Sequence, residues 1–145
     1  MTDVTGPRDI PGISDRILRV LFVVGGIAHL AFGIAGVAFP RWFFAAVPAW
    51  PPLHVGQIQI AGVFDLAMAT AFLVAATHVA RYGVLMIAAG IVAEWGHALV
   101  RIGHVVAGDN PSADLVAPGF MLVFGATLTI AGVERLPLTM TRARR

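Results

Sequence analysis

Four apolar stretches, Ile17–Phe39, Leu53–Thr77, Tyr82–Val106 and Leu115–Val133, take up most of this 145-residue chain. Each is long enough to cross a bilayer, whose hydrocarbon core of about 30 Å takes roughly 20 helical residues at about 1.5 Å each. Inside lipid a backbone must satisfy its own hydrogen bonds, so stretches of this length read as helices. The breaks between them are short: Pro40, Pro48, Pro51 and Pro52 in the first, His78 to Arg81 in the second, and Gly108-Asp109-Asn110-Pro111 in the third. Short connections make consecutive helices antiparallel neighbours. The expected fold is all-α, an antiparallel bundle of four transmembrane helices.

Composition agrees, with 58% hydrophobic and only 12% charged residues, more apolar surface than a soluble domain of this size can hide. Cysteine is absent, which excludes disulfides, thiolate metal sites and cysteine nucleophiles. All ten basic residues are arginine, and no basic run with interleaved aromatics suggests nucleic acid. Arg8, Arg16, Arg19, Arg81, Arg135, Arg142, Arg144 and Arg145 fall on one side if the helices alternate, whereas Arg41 and Arg101 fall on the other. By the positive-inside rule both termini are then cytoplasmic, N-in and C-in, in a multi-pass protein of a bacterial inner membrane. Residues 1–15 read as a disordered cytoplasmic tail, 16–135 as the transmembrane domain, and 136–145 as a basic cytoplasmic tail. The first stretch is longer than the apolar run of a signal peptide and reads as a retained helix.

The first external loop, Pro40 to Pro52, mixes Trp42, Phe43, Phe44 and Trp50 with prolines that oppose a regular helix. It is expected to lie along the membrane interface as an aromatic belt, or to form a lid over a lipophilic ligand. His54, His78 and His104 stand at expected helix ends and read as interface residues. Gly125 and Gly132 suggest a packing face against this chain or another copy, so a homo-oligomer or a membrane-complex partner is a possible arrangement alongside the bilayer itself.

Ionisable side chains within the spans carry the functional information, because each costs several kcal/mol at bilayer depth unless paired, hydrated or neutralised. They are His29 in the first span, Asp65 in the second, and Glu94, His97 and Arg101 in the third. Counting about 1.5 Å per residue from the expected ends puts His29, Asp65 and Glu94 within one turn of the same midplane level, on three helices. Glu94, His97, Arg101 and His104 are spaced 3, 4 and 3 apart, with Gly83 and Gly90 continuing the line, so they are expected on one inward stripe. Gly25, Gly33 and Gly36 flank His29, and Ala61, Gly62 and Ala69 flank Asp65, which permits close helix contact.

Three chemistries suit this set. The cluster fixes helix register, with a carboxylate pairing Arg101. Alternatively it forms an outward-opening ligand or proton site of His29, Asp65, Glu94, His97 and Arg101. Imidazoles and carboxylates are also suitable metal ligands, His29, Glu94 and His97 among them, and haem between His29 and His97 fits the helix spacing, but Arg101 would repel a cation and no cofactor is implied. As a third choice, a buried carboxyl and imidazole could do acid–base chemistry on a lipophilic substrate, an isomerisation for instance. No G-x-S-x-G, H-E-x-x-H or phosphate-binding glycine loop specifies a reaction.

Over residues 17–133 the number and hydropathy of the spans resemble small bacterial four-helix membrane proteins of the DoxX-like kind, and equally the uncharacterised four-helix proteins of actinobacteria. The resemblance implies a four-helix integral membrane fold and assigns no site residue.

Overall fold

The computed structural model describes residues 14–47, 53–108 and 116–143. These are all-α: α1 (Asp15–Ala38), α2 (Pro40–Ala46), α3 (Val55–Thr77), α4 (Val79–Ala107) and α5 (Val116–Ala143). Among the described residues α1, α3 and α4 are long and apolar enough to cross a membrane, with mean hydropathies of 2.2, 1.9 and 1.6. Their outward faces are apolar too: Ile60, Val92 and Val106 are 72%, 75% and 81% exposed, a surface suited to lipid rather than water.

α1 starts at Ser14, whose hydroxyl accepts from the Ile17 N–H at 3.4 Å, with Asp15 in the first turn where the helix dipole favours an acid. The expected N-terminal tail lies, up to residue 13, outside the described residues, as do Pro48 to Pro52 and the Asp109 to Leu115 connection. α4 ends on Gly108, whose φ of 80° provides the left-handed C-cap.

Three boundaries differ from those expected. The break at 78–81 shrinks to a single residue, His78, because its N–H donates to the Ala75 carbonyl and its own carbonyl accepts from Arg81 and Tyr82. A corner bonded on both sides needs no loop. The proline-rich loop contains a short helix, α2, since Pro40 occupies its first turn, where a missing N–H costs nothing. α5 runs to Ala143 through Pro137, rather than stopping near Val133; one lost backbone bond is tolerated in a helix of this kind.

Helix contacts are set by small residues. α1 packs most extensively on α3 and α4 on α5, both pairs antiparallel, as the partners Gly26 with Leu73, Gly33 with Leu66, Gly90 with Leu128 and Gly132 with Ile87 show. A methyl group on Gly62 would lie 2.9 Å from the Val37 nitrogen and 3.0 Å from the Gly33 carbonyl oxygen. α1 and α3 therefore touch backbone to backbone, which is how helices associate where no hydrophobic effect drives them together. The apolar core occupies the end that holds the start of α1 and the His78 corner. Leu18, Phe22, Phe72 and Leu128 are fully buried there, and the Phe22, Phe72 and Phe124 rings follow one another at 6.0 and 5.8 Å. Arg135 on α5 pairs with Asp15, closing this end.

Gly62→Leu should lower the thermal midpoint in detergent, at a cost of about 1–3 kcal/mol for overpacking. Gly56→Leu, where nothing lies within 4 Å, should leave it unchanged in the same melting experiment.

Candidate functional site

His29 stands halfway along α1 between two acids on different helices. Its Nδ1 lies 2.8 Å from Asp65 Oδ1 on α3, and its Nε2 lies 3.0 Å from Glu94 Oε1 on α4. The Gly33, Gly36 and Gly62 contact, one turn away, brings α1 close enough to α3 for the first of these bonds. The ring is held flat by Phe72, stacked at 5.6 Å with an interplanar angle of 18°. Exposure falls along the triad: the side chains of Asp65, His29 and Glu94 are 21%, 11% and 3% exposed.

The two hydrogen bonds fix the proton inventory. A neutral imidazole between two carboxylates has one N–H and would turn a lone pair toward the other acid. Two bonds need two protons, either an imidazolium donating at both nitrogens or a neutral ring accepting from one carboxylic O–H. Both arrangements carry a net charge of −1 and differ only in where one proton sits. The triad is thus a shared-proton unit.

Beside it opens a cavity of about 160 Å³, the size that in an apolar interior accommodates a single six-membered ring. Its polar wall is His29, Asp65, Glu94, His97 and Arg101, and its apolar wall includes Phe32, Phe43 and Phe120. All five residues singled out from the sequence therefore line one cavity. With the triad at −1, the Arg101 guanidinium in the same wall brings its formal charge to zero.

The expected stripe on α4 is only partly inward. Gly83, Gly90 and Glu94 are buried, and Ala98 follows them inside, whereas His97 is exposed. At about 100° per residue, Ala98 stays nearer the Glu94 direction than His97 does. His97 instead meets Phe64 edge-on at 5.7 Å, at the rim of the cavity. Asp65 and Glu94 each bond to His29, and Arg101 stands in the same cavity wall.

One contributor was not singled out beforehand. Trp95 donates its indole N–H to Thr129 Oγ1 at 3.2 Å, and Thr129 donates to the Gly125 carbonyl at 2.8 Å. This tie pins α4 to α5 beside Glu94, and the signal for it was an indole N–H at bilayer depth, which needs a partner. The loop expected as a belt or a lid contributes through α2: Phe43 and Val47 line the cavity, and Phe43 meets Phe32 edge-on at 6.0 Å. Among the described residues no group of three His, Asp or Glu side chains is arranged to hold a metal ion. His29 also has no lone pair to give one while both its nitrogens serve the acids.

His29→Leu leaves Glu94 buried without its partner and should destabilise the fold by about 3–5 kcal/mol. The double variant with Glu94→Leu should recover most of that, whereas His97→Leu should cost little; melting of the wild type and these three variants reads the differences. Comparison with family models, with curated proteins and with solved structures finds no match for this chain.

Proposed function

We propose that this chain is a four-span bundle of a bacterial inner membrane, with both termini cytoplasmic, that holds an exchangeable proton or a small protonatable ligand at the Asp65–His29–Glu94 triad. The fourth span is α5, supported by its 28 residues, its antiparallel seat on α4, and outward Val123, Ile130 and Val133 at 69%, 61% and 65% exposure. The arginine distribution supports the orientation, since Arg16, Arg19, Arg81 and Arg135 gather at the end holding the His78 corner.

One observation carries the functional reading: both imidazole nitrogens are engaged by acids from separate helices, and all three side chains border one cavity, with Asp65 the most and Glu94 the least exposed. A proton taken up at Asp65 passes through the ring to Glu94 by exchange of tautomers, without any helix moving. Beyond Glu94 the path meets Phe22, Phe72, Phe124 and Leu128, an apolar core with no polar relay among the described residues. The site is therefore loaded and emptied from one face, as a binding or acid–base centre, and is not a proton channel.

A membrane enzyme with acid–base chemistry is the second reading. The cavity favours it, because aromatic side chains face a carboxyl and an imidazole across a space one ring wide. In that case Asp65 and His29, the more exposed members of the triad, exchange protons with the substrate, and Glu94, at 3% exposure, positions the imidazole.

Infrared difference spectra across a pH titration test the shared proton. Asp65→Asn, Glu94→Gln and His29→Ala should each abolish one common, deuterium-sensitive set of carboxyl and imidazole bands; three independent bands, each lost with its own residue, refute the unit. Vesicles holding the protein should be no leakier to protons than empty ones. A leak removed by Glu94→Gln means a through-path and overturns the one-sided site.

A further inference from the structure

A second cavity lies on the outer face between α3 and α4, away from the triad. Between the two helices, beyond the His78 corner, lies a groove of about 520 Å³. Its floor on α3 is small, with Ala67, Ala71 and Ala75, and its α4 wall carries Tyr82, Leu85 and Met86. From Ala75 to Ala67 the groove runs eight residues along the helix, about 12 Å at 1.5 Å per residue. That is close to the depth of one leaflet's acyl region, half of a hydrocarbon core of about 30 Å.

The groove ends at a cluster of positive charge. The Arg81 guanidinium sits 5.1 Å from the centroid of the Tyr82 ring, which itself lines the groove. Arg19 reaches the same corner from α1, donating from Nε to the Ala76 carbonyl at 3.1 Å. His78 is exposed between them. Among the described residues neither Arg81 nor Arg19 has a carboxylate partner in an ion pair; of the described acids at this end, Asp15 pairs with Arg135 and Glu134 is exposed on α5.

We infer that this groove is a binding site for one anionic phospholipid, with its phosphate on Arg81 and Arg19 and one acyl chain lying along Ala75, Ala71 and Ala67. Charge decides the occupant. A second copy inserted in the same orientation would bring its own arginines to the same membrane level, where like charges oppose association. A phosphate is complementary, and basic clusters between membrane helices at a bilayer surface recognise anionic headgroups. Arg81 stacked on Tyr82 gives the headgroup a fixed cation, and the ring joins that cation to the apolar seat below.

Native mass spectrometry of the full-length protein in detergent, with equimolar phosphatidylglycerol and phosphatidylcholine, tests the site. One phosphatidylglycerol should be retained in clear preference. Arg81→Gln should lower that preference about five-fold, in keeping with one arginine at a membrane surface. Ala71→Phe, at an exposed position, should fill the seat and remove the lipid with the thermal midpoint unchanged, and Arg41→Gln at the opposite end should have no effect. Equal retention of both lipids, or phosphatidylglycerol retained undiminished by Ala71→Phe, overturns the proposal. So does a dimer that Ala71→Phe dissociates while lipid retention stays the same, which would give the groove to a second copy.

Discussion

The bridge made by His29 is the constraint around which the rest of the structure is arranged. α1, α3 and α4 each contribute one polar group at the same level, and only a side chain with two opposed hydrogen-bonding atoms can serve both acids at once. Imidazole is that side chain: an amide in its place would offer neither the rigid ring that stacks on Phe72 nor a proton that can sit at either end. The glycine contact below it is the complementary half. Without backbone touching backbone at Gly33, Gly36 and Gly62, α1 would stand too far from α3 for a 2.8 Å bond between His29 and Asp65. Close packing of small residues and a polar tie are the two means by which helices adhere in a solvent as apolar as themselves.

What was legible in the sequence followed from rules that act locally or by length. The apolar stretches located the long helices because their cost of exposure sums over some twenty residues, and counting along them put His29, Asp65 and Glu94 at one depth. The pairing within that level was not legible, since it depends on how each helix is rotated about its axis. A rotation of one residue, about 100°, separates Ala98 inside from His97 at the rim. The same holds for Arg101, which shares the cavity wall while the acids bond to His29. Helix ends failed for a different reason. Proline and short polar breaks mark where a helix can stop, but the single-residue corner at His78 and the run of α5 through Pro137 depend on which backbone groups find partners.

The bundle divides into a dry half and a wet half, and the division bears on what the site can do. Toward the His78 corner the interior is filled by Leu18, Phe22, Phe72 and Leu128. Toward α2 the same helices enclose the polar cavity, roofed by Phe43 and Val47. Glu94 sits at the boundary, at the edge of the cavity but only 3% exposed, and bonded to His29. An ionised acid there is tolerated only while that ring supplies a proton to its bond. The proton's position is thereby tied to whatever occupies the cavity: a ligand that donates to Asp65 pushes the shared proton toward Glu94, and one that accepts from Asp65 draws it back. On the proposed reading, a guest in the cavity would shift the proton between Asp65 and Glu94 within three residues and with no motion of the backbone. A site intended only to fix helix register would gain nothing from a cavity on one side of it, whereas one that exchanges protons with a guest requires both the opening and the seal behind it.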